Sequence, residues 1–187
     1  MSSHHIVKEN QEPALIVLST DALDSENLGQ LLEWSPTIIT DDYHIDFLLA
    51  QGIKVDVVIT EQETHYNQEQ IKRVPLKEKA LVDALEYLIN QQYKAVNIAC
   101  DSLSVDLLRY ASVINIVVFA AGKRMVFVQQ SYEKWKAKGE RIYVDETLLK
   151  SLVGLRKVTD NVFETEQDGF FYLGFNTDEF VAVGERL

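Results

Sequence analysis

The 187-residue sequence is short of several residue types, and each shortage excludes something. Cys100 is the only cysteine, so no intrachain disulfide and no thiolate-rich zinc site can form. No uninterrupted apolar run approaches the roughly 20 residues of a membrane helix, the longest being Ile116 to Ala121. The leader from Met1 to Asn10 lacks the apolar core of a signal peptide, so a cytoplasmic protein is expected. Positive charge is scarce: 18 Lys and Arg face 29 Asp and Glu, a formal net charge of −11. Phosphate backbones and anionic lipid surfaces would repel such a chain, which argues against nucleic acid and membrane as partners. The one basic cluster, Lys134, Lys136, Lys138 and Arg141, is read as a solvated face. His4 and His5 read as part of a polar terminus rather than a metal site.

What is present is an ordinary globular composition, 47% hydrophobic, on a chain long enough to bury a core without staples. Ala14 to Ser19 is a continuous apolar run suited to a strand buried on both faces. Leu28, Leu31 and Leu32 follow at helical spacing, and Ser35-Pro36 stops that helix. Strand Thr37–Thr40, a helix carrying Ile45, Leu48 and Leu49, strand Val55–Ile59, a helix with Leu81, Leu85, Leu88 and Ile89, and strand Lys94–Cys100 continue the alternation. A further helix holds Val105, Leu108 and Arg109 before an apolar run from Ile114. Repeated β-α-β units predict an α/β fold: an open, mostly parallel, Rossmann-like sheet with helices on both faces, over residues 1–121. From Gly122 the texture changes to short alternating segments broken by Gly, Asp and Asn, predicting a small, mainly antiparallel β domain over 122–187. Asp145 to Leu155 reads as its single short helix. Trp135, Phe170, Phe171 and Tyr172 are expected in its core rather than stacked on a ligand.

Ligands of open α/β sheets bind at the carboxyl ends of the strands, and here those ends are acidic. Asp21 and Asp24 follow the first strand, Asp41 and Asp42 the second, Glu61 and Glu63 the third, Asp101 and Asp106 the fourth. Carboxylates converging on one edge invite a hard divalent cation shared with substrate phosphates; single residues of this kind equally serve as caps. No Walker loop, GxGxxG, G-x-S-x-G or H-E-x-x-H is present. His44 and His65 read as surface histidines, and Cys100 as a buried small hydrophobe.

The stretch from Thr40 to Thr64 resembles, without a gap, the thiamin pyrophosphokinase pattern D-G-G-A-N-x-L-L-x-x-G-I-x-P-D-x-x-I-G-D-x-D-S. Asp42 stands on the first aspartate, Gly52 to Asp56 on G-I-x-P-D, Glu61 and Glu63 on the two aspartates of G-D-x-D-S, and Thr64 on its serine. Asn97 to Leu107 resembles the segment ending in G-G-R-L-D-H, with Asp106 on the aspartate. The resemblance implies transfer of pyrophosphate from ATP to the hydroxyl of thiamin, with Mg²⁺ and a homodimer. It implies Asp42, Glu61, Glu63 and Asp106 as catalytic residues, the first three also as metal ligands, with Asp21, Thr64, Ser102 and Ser104 contacting the nucleotide. Tyr43 and His44 replace two glycines of the pattern, Ser104 replaces its arginine, and the acidic D-x-T-D segment has no clean match around Lys77 to Leu81. These departures carry an alternative, an inactive thiamin- or nucleotide-binding pseudoenzyme on the same fold.

Overall fold

The computed structural model describes residues 12–63 and 65–187. The chain divides into two compact units, Met1–Ile116 and Val117–Leu187. His4, His5 and Thr64, singled out in the sequence, lie outside the described residues.

The first unit carries β1 (Ala14–Val17), α1 (Ser25–Leu32), β2 (Ile38–Asp41), α2 (Ile45–Ala50), β3 (Val57–Thr60), β4 (Lys72–Pro75), α3 (Ala80–Asn90) and β5 (Ala95–Ala99). A 3-10 helix spans Val105–Arg109, where a regular helix was expected. The five strands are parallel in the order β5-β1-β2-β3-β4. β1 is buried at all four positions, which is why its sequence is an unbroken apolar run. Asp24 caps α1, its carboxylate accepting the Asn27 amide at 2.7 Å. Leu28, Leu31 and Leu32 of α1 and Leu48 and Leu49 of α2 join a core cluster with Leu15, Val17, Ile38 and Val58. α2 ends at Gly52, whose φ of +71° is a conformation only glycine adopts without strain. α3 buries Val82, Leu85 and Leu88 and packs along β1 to β4. β4 sits at the end of the sheet and reads Lys-Arg-Val-Pro; it lacks an apolar run, and no strand was expected there.

The second unit is antiparallel. β6 (Asn115–Ala120) leads into it and pairs with β7 (Lys123–Val128), followed by β8 (Ser131–Lys136), β9 (Arg141–Tyr143), β10 (Leu149–Val153), β11 (Leu155–Thr159), β12 (Val162–Thr165), β13 (Gly169–Phe175) and β14 (Val181–Arg186). One layer runs β11-β12-β9-β14-β7-β6 and a three-stranded sheet runs β10-β13-β8. Their inner faces share a core of Ile142, Val144, Leu155, Phe163, Phe171, Leu173, Phe175, Val181 and Val183. The helix expected over Asp145–Leu155 is instead one 3-10 turn, Glu146–Leu148, running into β10. Of the four aromatics expected in this core, Phe171 is fully buried and Tyr172 half-buried. Trp135 and Phe170 face each other across β8 and β13 and are exposed at 54% and 67%.

Lys134 and Lys136 do not form part of a solvated face. Strand alternation turns Tyr132, Lys134 and Lys136 to the same side of β8, where all three meet the Glu185 carboxylate. Glu185 is 5% exposed, and its oxygens lie 2.7 and 2.8 Å from the Lys134 and Lys136 ammonium groups.

Candidate functional site

The carboxyl ends of β1, β2, β3 and β5 form one edge of the first unit, and the strand order reverses direction at β1. β1 leads outward through β2, β3 and β4, whereas β5 returns to its other side, so the crevice between the ends of β1 and β5 is the switch point where open sheets bind ligands. Asp21 lies there after β1, exposed, with its backbone amide on Ser19 Oγ. Cys100, Ser102, Ser104 and Asp106 lie opposite, after β5.

Each acidic residue at this edge has a different local engagement. Asp24 is a helix cap. Asp41 Oδ1 accepts the Tyr43 and His44 amides, both at 3.1 Å, and His44 Nδ1 at 2.6 Å, so this carboxylate orders the turn into α2. Asp42 accepts the Tyr66 hydroxyl at 2.6 Å. Burial, and then the bond to Asp42, pushes the Tyr66 phenol up from its ordinary value, so it stays a donor at neutral pH. Glu61 and Glu63 are exposed and line a cleft of 440 Å³ together with Thr60, Arg73 and Pro75. Asp106 accepts the Lys79 ammonium at 2.7 Å and the Ser104 hydroxyl at 3.3 Å. The Lys79 hydrogen bond is the main reason its carboxyl sits below the usual range. Cys100 is buried, and desolvation with the nearby Asp101 charge lifts its thiol to about 11, which makes it an inert hydrophobe.

The four residues expected to be catalytic thus all follow strands at one sheet edge, Asp42 after β2, Glu61 and Glu63 after β3, and Asp106 after β5. With strands about 4.8 Å apart, the ends of β5 and β2 are separated by roughly 10 Å, and those of β5 and β3 by roughly 14 Å. Such a span suits an extended ligand rather than one ion. Among the described residues no three Asp, Glu, His or Cys side chains group closely enough to hold a metal. Mg²⁺ arriving on a triphosphate needs only one or two protein carboxylates, and the exposed, hard donors Glu61 and Glu63 fit that chemistry. Asp42 and Asp106, occupied by Tyr66 and Lys79, fit it less well.

The surrounding charge makes cations decisive. The first unit holds eight Lys and Arg against eighteen Asp and Glu, a formal −10, whereas the second holds ten against eleven.

No family model matches the sequence, and no curated protein matches it. Solved structures do. The thiamine pyrophosphokinase of Bacillus subtilis superposes with a TM-score of 0.62 at 13% identity, covering 92% of this chain and 97% of that one. Yeast thiamin pyrophosphokinase gives 0.67 at 8% identity, covering 97% and 88%. The enzyme from Candida albicans gives 0.62 at 6%, covering 93% and 90%. The chain has the thiamin pyrophosphokinase fold. At these identities the likeness is one of fold, and it spans both units.

Two features of this thiamin pyrophosphokinase fold escaped the sequence. Tyr66 and Lys79 carry no motif, and only the folded loops bring them to Asp42 and Asp106. The second unit also holds a cleft of 730 Å³ lined by Gln130, Lys150, Ser151, Tyr172, Phe175 and Asp178, with Gly174 in its floor. Gly174 pairs with Ser151 across β10 and β13, and a Cβ there would come within 3.0 Å of Ser151 Oγ, which real Cβ atoms essentially never do. Gly174→Ala should therefore destabilise the protein by about 1–3 kcal/mol. Adding Ser151→Gly should recover most of the loss in a urea titration, and no recovery would show that the clash is elsewhere.

Proposed function

We propose that the chain binds ATP and thiamin and transfers pyrophosphate from the one to the other, as the proteins of the same fold are named for doing. The observation that carries this reading is the extent of the likeness, which covers at least 88% of each chain in three thiamin pyrophosphokinases while acidic side chains occupy the switch edge. In this reading residues 1–121 form the nucleotide-binding domain, its parallel sheet clothed by helices on both faces, and residues 122–187 form the small β-rich domain. The thiamin hydroxyl attacks the β-phosphorus of ATP, a new O–P bond forms as the bond to the α-phosphoryl oxygen breaks, and AMP leaves while the hydroxyl proton is released. Mg²⁺, when bound, neutralises charge on the transferring group.

The chain's own residues supply position. Asp42, fixed by Tyr66, stands at the end of β2; Glu61 and Glu63, in the 440 Å³ cleft, would hold the metal; Asp106 lies at the switch point with Asp21, Ser102 and Ser104 beside the nucleotide, and Thr64, outside the described residues, is kept as a nucleotide contact from the resemblance alone. The larger cleft of the second unit, with Tyr172 as a ring surface and Asp178 as a counter-charge, suits a flat cationic acceptor such as thiamin. We further propose a cytoplasmic homodimer.

A second reading is favoured by the Lys79–Asp106 ion pair, which occupies an expected catalytic carboxylate. It is a pseudoenzyme that binds nucleotide or thiamin without turnover. AMP release from ATP and Mg²⁺, measured with and without thiamin, separates the two. Thiamin-dependent AMP supports transfer. Its absence from folded protein that still binds either ligand supports the pseudoenzyme, and absence of both overturns the whole reading.

A further inference from the structure

A triphosphate brings about four negative charges to an edge that already carries Asp21, Asp41, Asp42, Glu61, Glu63, Asp101 and Asp106, in a unit of formal charge −10. Such an approach requires cations from the protein as well as any that arrive with the ligand. Lys54 and Lys94 precede β3 and β5, and Lys72 opens β4, so these three stand at the opposite edge. Of the remaining cations, Arg73 belongs to β4, Lys77 and Lys79 to the β4–α3 connection, and Arg109 to the 3-10 helix after β5.

Of these, Lys79 is the one whose side chain is seen in direct contact with Asp106. Its ammonium lies 2.7 Å from Asp106 Oδ2, the oxygen that Ser104 Oγ also reaches at 3.3 Å. The pair is a surface one, with the Lys79 side chain 68% exposed, so its geometry is weakly held and exchangeable. Its base is fixed all the same. Asp83, 5% exposed, accepts the Lys77 and Glu78 amides at 2.8 and 3.1 Å and so ties the connection that ends at Lys79 to the first turn of α3. A fixed backbone, a long exposed side chain and a single partly exposed carboxylate partner are the properties of a residue that can exchange one anion for another. Arg109 contributes further positive potential at Asp106.

We propose that Lys79 is the phosphate-binding cation of this site: a nucleoside polyphosphate enters at the switch point, takes the Lys79 ammonium from Asp106, and is held by it beside Ser104. The inference rests on the nucleotide reading above and adds the residue that makes so acidic an edge accept an anion. Asp106 then acts as a competitor that holds the ammonium in place when no ligand is bound, and the two residues have opposite effects on affinity.

Calorimetric titration of the full chain with ATP in the presence of EDTA, which needs no turnover, tests this. Lys79→Gln should weaken ATP binding about 10-fold, the loss of one charge-assisted contact, and Lys79→Arg should restore most of it. Asp106→Asn should tighten binding by a few fold, because it frees the ammonium. A structural ion pair would lower thermal stability in both variants and shift affinity in neither, or in the same direction; either result overturns the proposal while leaving the nucleotide reading intact. If the unaltered protein binds no ATP with EDTA or with Mg²⁺, that reading fails and this proposal fails with it.

Discussion

Glu185→Ala should destabilise the protein by about 3 kcal/mol, because it removes one partner from a buried ionic cluster and strands the others. The Glu185 carboxylate takes the Tyr132 hydroxyl at 3.1 Å, the Lys134 ammonium on both oxygens and the Lys136 ammonium on one. Without it two lysines, their side chains 37% and 20% exposed, lose their shared partner near Arg124, which stands opposite Glu185 on β7. Partial access to water keeps the cost at the lower end of the range for buried pairs. A urea titration showing a loss below 1 kcal/mol would mean that the lysines find other partners. The pH dependence has a definite sign. Burial alone would raise the Glu185 carboxyl, but Lys134 and Lys136 outweigh it and hold it below its ordinary 4.5. A depressed folded value means that the stabilisation is complete above the unfolded value and fades as pH falls through the folded one. The gap between the unaltered protein and Glu185→Gln should therefore narrow below pH 4.5 and stay constant above it. The same cluster pushes the Tyr132 phenol up to about 12, by burial first and by the Glu185 charge second, so Tyr132 remains a donor throughout that range.

Glu61→Gln with Glu63→Gln should lower thiamin-dependent AMP formation about 100-fold, near 2.7 kcal/mol of transition-state stabilisation, if transfer is retained. Both side chains are exposed and line the β3–β4 cleft, so the amide pair should leave stability within about 0.5 kcal/mol of the starting protein. The loss should appear in kcat rather than in the KM for thiamin, and raising Mg²⁺ should recover part of it, because neutral amides are poorer but not absent oxygen donors. Unchanged kcat at every Mg²⁺ concentration would remove these two glutamates from the mechanism.

The parts of this fold that were legible in the sequence are those in which one local pattern decides the outcome. β1 is apolar at every position because both its faces are covered, and α1 and α2 place their leucines at helical spacing. β4 was invisible because Lys72, Arg73 and Pro75 are exposed and only Val74 turns partly inward. The segment after Asp145 misled for a definite reason. Leu148, Leu149 and Leu152 mimic helical spacing, but a register shift between Leu149 and Ser151 brings both Leu149 and Leu152 of a strand to the core. At the site, the acidic strand ends could be read because the carboxyl edge of a parallel sheet is where ligands gather. Their partners could not, since Tyr66 meets Asp42 across 24 residues and Lys79 meets Asp106 across 27. Lys134 and Lys136 read as a solvated face in the sequence for the same reason, their carboxylate lying about 50 residues away.

The sequence of β4 has a bearing on growth as well as on folding. A parallel sheet that stopped at β3 would offer Val57 to Ile59, wholly apolar, as a template on which another molecule's strand could be laid. β4 covers that template with Lys72 and Arg73, and Pro75 withholds one of the amide donors that a sixth parallel strand would need. The molecule therefore ends its sheet in a strand that is difficult to extend, and the first unit should resist fibril formation along that edge even at high protein concentration.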